Sequence, residues 1–428
     1  MKTLAGALVL GMTAVASAAN AGTTLVGGGA TLPALGYGGD VTHRLIAPTS
    51  GSFLATFSAQ TGNPQVSYCQ TGSGAGKNIL AGVSGTNVQN GCPDGPTPTG
   101  FGAATSGVNR SDLTQPNFAA SDSPLSSTDY NNYVTNRSGS HPVQFPAVAG
   151  AIAIAFNKSD VPSLNLTSLA VCKIFSGKIT TWKALASEPG VTGIPSNVVD
   201  GTIKVAYRSD GSGTSFGFSN HLSASCAATG SQHFVTDQAF TNAVASYFPS
   251  GLPSAWSGQS GNPAVVNQVL ATDGSIGYAE AANVQGAFGL FATVDSLDPV
   301  ANFADPTTHK VTINSADVVY NQAITGVDAN GRPTFAAISG APSTQCIALV
   351  KPNAYATQPS GSYPIVAVSY LLGNTNNNGG DTANVRKLLG APYNATITAA
   401  TTTIGDGQGL AFLNTSFTQS QIDGCIVN

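Results

Sequence analysis

The first part of this 428-residue chain contains short apolar segments that each run into a turn of glycine and small polar residues. The spacing predicts strands after Thr24, at Gln65–Gln70 and at Phe118–Ser121, with a helix at Ser52–Thr61. In an α/β fold, parallel strands end at one edge of the sheet, where ligands bind. The small polar residues that follow these three strands therefore predict a ligand site at that edge.

A fourth segment of this type, Val205–Phe218, has the sequence VAYRSDGSGTSFGF. Alternating apolar residues predict a strand, glycines end it, and apolar residues at helical spacing follow. The first N–H groups of such a helix lack partners, so Ser212, Gly213 and Thr214 would offer donors to an anion. Arg208 adds a planar cation at the end of the strand. The segment therefore predicts half of an oxyanion site.

Two longer apolar runs, Phe145–Asn157 and Tyr363–Leu372, predict strands that cross between two lobes. Between them the pattern predicts a helix at Ser168–Ser176 and strands at Gly274–Glu280 and Gln345–Val350. A mature length of roughly 400 residues fits two domains or lobes.

The first 21 residues have one lysine, an apolar core and small residues before two cleavage points, which predicts a secretory signal peptide cut after Ala18 or Ala21. No cysteine lies near either cut, so we expect a periplasmic or secreted product without a lipid anchor. Loss of Lys2 changes the formal charge from 16 − 20 = −4 to 15 − 20 = −5. So acidic a chain, with only 8% charged residues, excludes nucleic acid as a partner and requires a local site for any anion.

All six cysteines lie in the mature chain, and export with an even count predicts disulfides. Fifteen pairings are possible. We favour one that closes an insertion, ties the middle region and holds the C-terminal tail, namely Cys69 with Cys92, Cys172 with Cys226, and Cys346 with Cys425. Zinc is the competing interpretation, and it fails because there is no CxxC pair and the histidines show no ligand spacing. No metal or other cofactor is predicted.

Each of the other motifs also has a simpler interpretation. Gly72–Lys77 (GSGAGK) is similar to a nucleotide-binding P-loop, but Thr71 replaces the first glycine and Asn78 the magnesium-binding residue. Alone, this motif is a plain glycine turn, although Ser73 could donate to an anion. The segment Gly27–Pro33 could be only a capped helix start.

Asp122 also has a simpler interpretation, because it could be a helix cap.

Ser212 lacks the flanking glycines of a catalytic serine elbow, and the nearest histidine, His221, lies more than two helical turns further on. The sequence therefore offers no convincing nucleophile and base.

Four segments occur in one order: GGGATLP, YCQTGSGAG, FAASDSPLS and YRSDGSGTSFGF. This ordered set resembles the periplasmic phosphate-binding proteins of ABC transport, most closely the secreted DING-like branch. The resemblance covers most of the mature chain. It departs at Thr24–Gly27, which replaces the Asp-Ile-Asn-Gly start of the branch, and at an insertion around Cys92.

The resemblance implies a phosphate site and assigns a role to each matching residue. Asp210 would pair with the arginine and orient it. Asp122 would accept a hydrogen bond from a protonated anion such as phosphate and repel sulfate, which carries no proton near neutral pH. The ligand residues implied are Thr31, Leu32, Ser73, Asp122, Arg208, Ser212, Gly213 and Thr214.

The resemblance also implies an α/β fold of the type II periplasmic binding class, in which two lobes, each a mixed sheet flanked by helices, are joined by a two-strand hinge. We expect a signal peptide at 1–21, lobe one at 22–148 plus 364–428, and lobe two at 149–363. The expected protein is a monomer that traps phosphate for acquisition and serves an ABC permease, and it is not an enzyme. The alternatives are a secreted phosphatase-like enzyme using the same pocket and an extracellular scaffold or adhesive protein.

Overall fold

The computed structural model describes residues 23–39, 44–92, 99–305, 308, 310–357 and 361–428. The predicted signal peptide and its two cleavage sites lie outside these residues. Within the described ranges, no helix is both long and apolar enough to cross a bilayer.

Strands and helices alternate along most of the described chain. The strands are β1 Leu25–Gly29, β2 Val66–Gln70, β3 Ala119–Ser121, β4 Pro142–Asn157, β5 Asn165–Leu166, β6 Lys204–Arg208, β7 Trp256–Gln259, β8 Ser275–Glu280, β9 Leu290–Val294, β10 Val318–Tyr320, β11 Gln322–Val327, β12 Pro333–Ala337, β13 Ala348–Val350, β14 Val366–Asn374 and β15 Leu410–Phe412. The α-helices are α1 Ala34–Gly38, α2 Phe53–Ser58, α3 Ser73–Ala81, α4 Ser127–Asn136, α5 Ser168–Phe175, α6 Trp182–Ala186, α7 Gly213–Ser225, α8 Phe240–Ala243, α9 Asn262–Leu270, α10 Ala281–Gly286, α11 Thr382–Gly390, α12 Ala395–Ala400 and α13 Gln419–Cys425.

One curved sheet runs through both halves of the molecule in the order β2-β1-β3-β14-β4-β8-β6-β7. Strands β2, β1 and β3 are parallel to one another, and so are β8, β6 and β7. The long strands β4 and β14 lie between these two groups and pair antiparallel with each other. Because β3 is antiparallel to β14 and β8 is antiparallel to β4, the two parallel groups run in opposite directions. Their carboxyl ends point towards a common cleft, which is where α/β sheets bind ligands.

The two crossover strands were predicted from their apolar runs, and this prediction is confirmed. All nine residues of β14 are buried, as are the first fifteen of the sixteen in β4. Strands buried on both faces lack the alternation of half-exposed strands, which explains their nearly continuous apolar sequence. Strand β4 begins at Pro142, three residues earlier than expected.

An antiparallel hairpin formed by β11 and β12 lies outside the main sheet and was not predicted. It contacts both halves of the molecule: the amide of Ile324 donates to the carbonyl of Leu125 at 3.0 Å, and the amide of Thr236 donates to the carbonyl of Gly331 at 2.9 Å. The hairpin carries many exposed residues, so its strands lack a clear apolar pattern.

All three favoured disulfides are present: Cys69–Cys92, Cys172–Cys226 and Cys346–Cys425. The six cysteines are all paired, so none is available to bind zinc.

Candidate anion-binding site

The eight residues predicted to bind the ligand come together in the cleft, and all of them are buried. Thr31 and Leu32 follow β1, Ser73 begins α3, and Asp122 follows β3. The other four lie on the opposite side of the cleft, at the end of β6 and the start of α7: Arg208, Ser212, Gly213 and Thr214. The structure thus brings every residue of this predicted set together at one location.

Arg208 is held in place by a carboxylate. Its Nε donates to Asp210 Oδ1 at 2.6 Å and its Nη2 donates to Oδ2 at 2.5 Å, so the guanidinium and carboxylate meet as two parallel hydrogen bonds. Asp210 also accepts from the amide of Gly261 at 3.2 Å. Burial opposes ionisation of Asp210, but Arg208 holds the pKa of this carboxyl below its ordinary value. The predicted orienting role of Asp210 fits this geometry.

The remaining nitrogen of Arg208, Nη1, contacts hydroxyl groups from both sides of the cleft. It donates to Thr31 Oγ1 at 2.9 Å and to Thr214 Oγ1 at 3.3 Å. The arginine therefore links the end of β1 to the start of α7.

Helix α7 begins at the cleft with Ser212 as its N-cap, whose Oγ accepts from the amide of Ser215 at 3.0 Å. This helix is thirteen residues long, and its first N–H groups, which have no partner within the helix, face the opposite side of the cleft. A Cβ added to Gly213 would lie 2.4 Å from Asp122 Cβ and 2.5 Å from Ser73 Oγ. Only glycine permits this approach, so the two sides of the cleft are closed upon each other.

A backbone hydrogen bond also crosses the cleft, from the amide of Gly74 to the carbonyl of Gly211 at 2.8 Å. The closed arrangement is therefore stabilised by main-chain as well as side-chain contacts.

Asp122 is the carboxylate that faces this donor set. Its amide donates to Ser73 Oγ at 3.0 Å, and the Ser73 hydroxyl lies 3.4 Å from Asp122 Oδ2. Burial raises the pKa of Asp122 to about 7, against the opposing effect of Arg208. Its other oxygen, Oδ1, is buried without a hydrogen-bond partner. Asp122 is thus an acid that changes its protonation state near neutral pH.

Four hydroxyls in the cleft each accept a hydrogen bond from the protein. Those of Thr31, Ser212 and Thr214 keep their own hydrogen free to be donated, whereas that of Ser73 is directed at Asp122 Oδ2. A hydroxyl has one donor hydrogen and two acceptor sites. Together with the helix amides and Arg208, they form a set of donors that faces a single acceptor, Asp122. These hydroxyls belong to Thr31, Ser73, Ser212 and Thr214.

Sequence reasoning missed two residues that support the arginine. Asn262 at the start of α9 accepts from Arg208 Nη1 at 3.1 Å and donates to Thr214 Oγ1 at 3.3 Å. The Tyr278 hydroxyl accepts from the amide of Arg208 at 3.1 Å. The sequence held a signal for Asn262, because Gly261 and Pro263 mark another turn from a strand into a helix.

Residues 44–384 match the model of the PBP superfamily domain, so the chain belongs to this superfamily. This match covers most of the chain and confirms the expected two-lobed α/β fold. The particular relatives add detail.

Alkaline phosphatase L of Pseudomonas aeruginosa is 32% identical over 300 residues, which cover 66% of this chain and 67% of that protein. Phosphate-binding protein PstS 3 of Mycobacterium leprae is 29% identical over 278 residues, or 64% of each chain. The alignments thus span about two thirds of these curated relatives.

Among solved structures, the phosphate-binding protein from Stenotrophomonas maltophilia is 25% identical, with a TM-score of 0.56 and coverage of 94% of this chain and 93% of that one. A high-affinity periplasmic phosphate-binding protein, PfluDING, solved with phosphate, is 23% identical, with a TM-score of 0.61 and coverage of 94% and 92%. These relatives confirm the resemblance to phosphate-binding proteins, and the PfluDING structure shares the fold of this chain.

Proposed function

We propose that this protein binds inorganic phosphate with high affinity between its two lobes, for phosphate acquisition outside the cytoplasm. The observation that carries the proposal is the buried set of donors opposite one carboxyl. The hydroxyls of the cleft, the first amides of α7 and Arg208 can donate to the oxygens of a tetrahedral anion, and Asp122 can accept a hydrogen from it. A fully deprotonated anion would leave this carboxylate unpaired and repelled.

The proposed ligand set is the predicted one, with Asp210 orienting the arginine. The names of the relatives support phosphate as the ligand, since they include phosphate-binding proteins and one structure solved with phosphate. Export by the predicted signal peptide and delivery to an ABC permease belong to this proposal, as does action as a monomer.

The proposed trapping needs two lobes that move apart, and the lobe boundaries remain a prediction. Two hydrogen bonds favour a change in the predicted boundary between lobe two and lobe one. The amide of Val311 donates to the carbonyl of Phe412 at 3.2 Å, and the amide of Gln144 donates to the carbonyl of Cys346 at 2.9 Å. The segments around Val311 and Cys346 would therefore move with lobe one, and the Cys346–Cys425 disulfide would then lie within that lobe.

A phosphatase is the competing function, because one relative is called Alkaline phosphatase L. Hydrolysis would need a base beside a hydroxyl, and each histidine of the described ranges faces other groups. His141 Nδ1 faces the Tyr130 hydroxyl at 2.8 Å, His221 Nδ1 faces the carbonyl of Ala356 at 3.0 Å, and His233 Nδ1 faces that of Ser231 at 3.2 Å. We therefore propose a binding protein rather than an enzyme.

The closed cleft supports the same choice. Arg208, Ser73 and Asp122 are each 1% exposed, so a phosphoester with a bulky group would reach them only if the two sides of the cleft moved apart. Turnover of a phosphomonoester by pure protein, abolished in Arg208→Ala, would overturn the proposal in favour of the phosphatase.

Isothermal titration of the mature protein with phosphate and then sulfate tests the proposed function. We expect tight binding of phosphate and a preference over sulfate that grows as the pH rises through about 7, because Asp122 loses the proton that it could donate to sulfate. Asp122→Asn should bind sulfate more tightly and lose this pH dependence. Absence of heat with phosphate at any pH, or unchanged selectivity in Asp122→Asn, would contradict the proposal.

A further inference from the structure

Three buried oxygens without hydrogen-bond partners belong to side chains that influence one another, namely Asp122 Oδ1 and the hydroxyls of Ser369 and Tyr37. Ser369 and Tyr37 are both fully buried. Buried polar atoms without a partner are uncommon in folded proteins, and each such atom calls for an explanation. Neither Ser369 nor Tyr37 belongs to the predicted ligand set.

The strand register places Ser369 beside the carboxyl. Strand β14 pairs antiparallel with β3, with Tyr370 opposite Ser121. Since Ser369 precedes Tyr370 and Asp122 follows Ser121, Ser369 lies opposite Asp122. The pairing of β14 with β4 also shifts between Ser369 and Tyr370, where β4 has one additional residue, Ala147. Bulges of this kind are common next to functional sites, where they redirect a side chain.

We propose that Ser369 is a positioning residue for phosphate selectivity, whose hydroxyl donates to the Asp122 carboxylate from the side away from the ligand and so keeps this group an acceptor for the anion. This inference rests on the proposed function.

Hydrogen bonding explains how Ser369 would act. A donor to a carboxylate stabilises the charged form. Burial raises the pKa of Asp122 to about 7, and the Ser369 hydroxyl is the largest of the effects that oppose burial. Burial also raises the pKa of Tyr37, so its phenol stays protonated and can donate to Ser369 Oγ. The hydrogen of Ser369 is then left for Asp122.

Other groups also surround the carboxyl, and the test must separate their effects from that of Ser369. Arg208, Ser73 and the amide of Leu32 favour its ionised form. The buried side chains whose own pKa values are raised by the Asp122 charge are Tyr37, Tyr68, Tyr355 and Glu280. All of these groups remain in a Ser369→Ala variant.

Ser67 offers a matched control. It lies on β2 in the same part of the sheet, is fully buried, and has a hydroxyl without a partner. It is not among the groups that shift the pKa of Asp122. Ser67→Ala therefore removes the same atom from an equally buried position without touching the carboxyl.

The first measurement is the pKa of Asp122 in the protein without phosphate, by NMR of aspartate-labelled carboxyl carbons assigned with Asp122→Asn. Ser369→Ala should raise this pKa by about one unit, as expected for the loss of one hydrogen bond to a charged group. Ser67→Ala should leave it unchanged. Equal values in wild type and Ser369→Ala would overturn the inference.

The second measurement is calorimetry with phosphate and sulfate from pH 5 to 9. In Ser369→Ala, the pH at which sulfate binding is half lost should move up by a similar amount. In an Asp122→Asn background, Ser369→Ala should have no further effect, because the group it acts through is gone. A role in packing alone would change stability but leave both pH profiles unchanged.

The two proposals fail in different ways. If wild-type protein bound no phosphate, the proposed function would fall and the role in selectivity with it. If wild type bound phosphate selectively and Ser369→Ala had the same sulfate profile, only the inference about Ser369 would be overturned.

Discussion

Gly213→Ala gives a sharp test of lobe closure, because the clash it creates exists only when the cleft is closed. The added Cβ would lie 2.4 Å from Asp122 Cβ and 2.5 Å from Ser73 Oγ. Carbon atoms in contact lie about 3.5–4.0 Å apart, so the two sides must separate by roughly 1 Å. That separation would stretch the hydrogen bond between Gly74 and Gly211, which is 2.8 Å long.

Overpacking of this kind costs about 1–3 kcal/mol. Because 1.4 kcal/mol corresponds to a tenfold change in the dissociation constant, Gly213→Ala should weaken phosphate binding by about 5-fold to 150-fold. The change lies at the first position of α7, where alanine is a good helix former, so thermal stability without phosphate should stay close to that of wild type. Calorimetry and thermal unfolding with and without phosphate measure both quantities.

Gly211→Ala is the control on the same turn. The nearest atom to its added Cβ is Gly74 Cα at 3.4 Å, an ordinary contact, and its backbone does not require glycine. We expect nearly normal affinity in this variant. If Gly213→Ala also bound phosphate as tightly as wild type, the closed cleft would not be the binding conformation.

Two further predictions concern stability. Removing the Cys346–Cys425 disulfide, which joins residues 79 apart, should lower the free energy of unfolding by about 4–5 kcal/mol. Removing Cys69–Cys92, which joins residues 23 apart, should lower it by about 3 kcal/mol. Denaturant titration of the paired serine variants measures both losses, and the reverse order would show that loop entropy does not decide them. Burial raises the pKa of Glu280 from 4.5 to about 8, so the folded protein keeps a proton that the unfolded chain releases, and its contribution to stability is complete below pH 4.5 and declines up to about pH 8. Glu280→Gln should flatten urea-derived stability across this window, and an unchanged slope would contradict the assignment.

The local pattern alone predicted one half of the cleft, at Arg208–Thr214, whereas the complete ligand set came from the resemblance to phosphate-binding proteins. Arg208 and Ser212 lie at a turn between a strand and a helix, and such turns have a local signature of alternation, glycine and helical spacing. The crossover strands were equally clear, because β4 and β14 are apolar along almost their whole length.

Other features have no local signature. Ser369 is one polar residue within the apolar run Tyr363–Leu372, and its importance depends on a register with β3 that only the folded chain defines. The β11–β12 hairpin is half exposed, so its composition resembles that of a loop. Tyr278 supports the backbone of Arg208 through a contact between residues 70 apart in sequence. Long-range pairing of this type is not encoded in any single segment.

The pairing of Arg208 with Asp210 has a consequence for the conditions under which the protein can work. The carboxylate cancels the charge of the guanidinium, and the other proposed donors are neutral hydroxyls and amides, so capture of phosphate does not depend on a basic surface. Mobile ions screen exposed charges beyond about 10 Å at 0.1 M salt, but they hardly reach buried dipoles. At constant pH, the affinity should therefore change little between dilute and strongly saline media, which would suit the proposed role outside the cytoplasm, where the cell does not control the ionic strength.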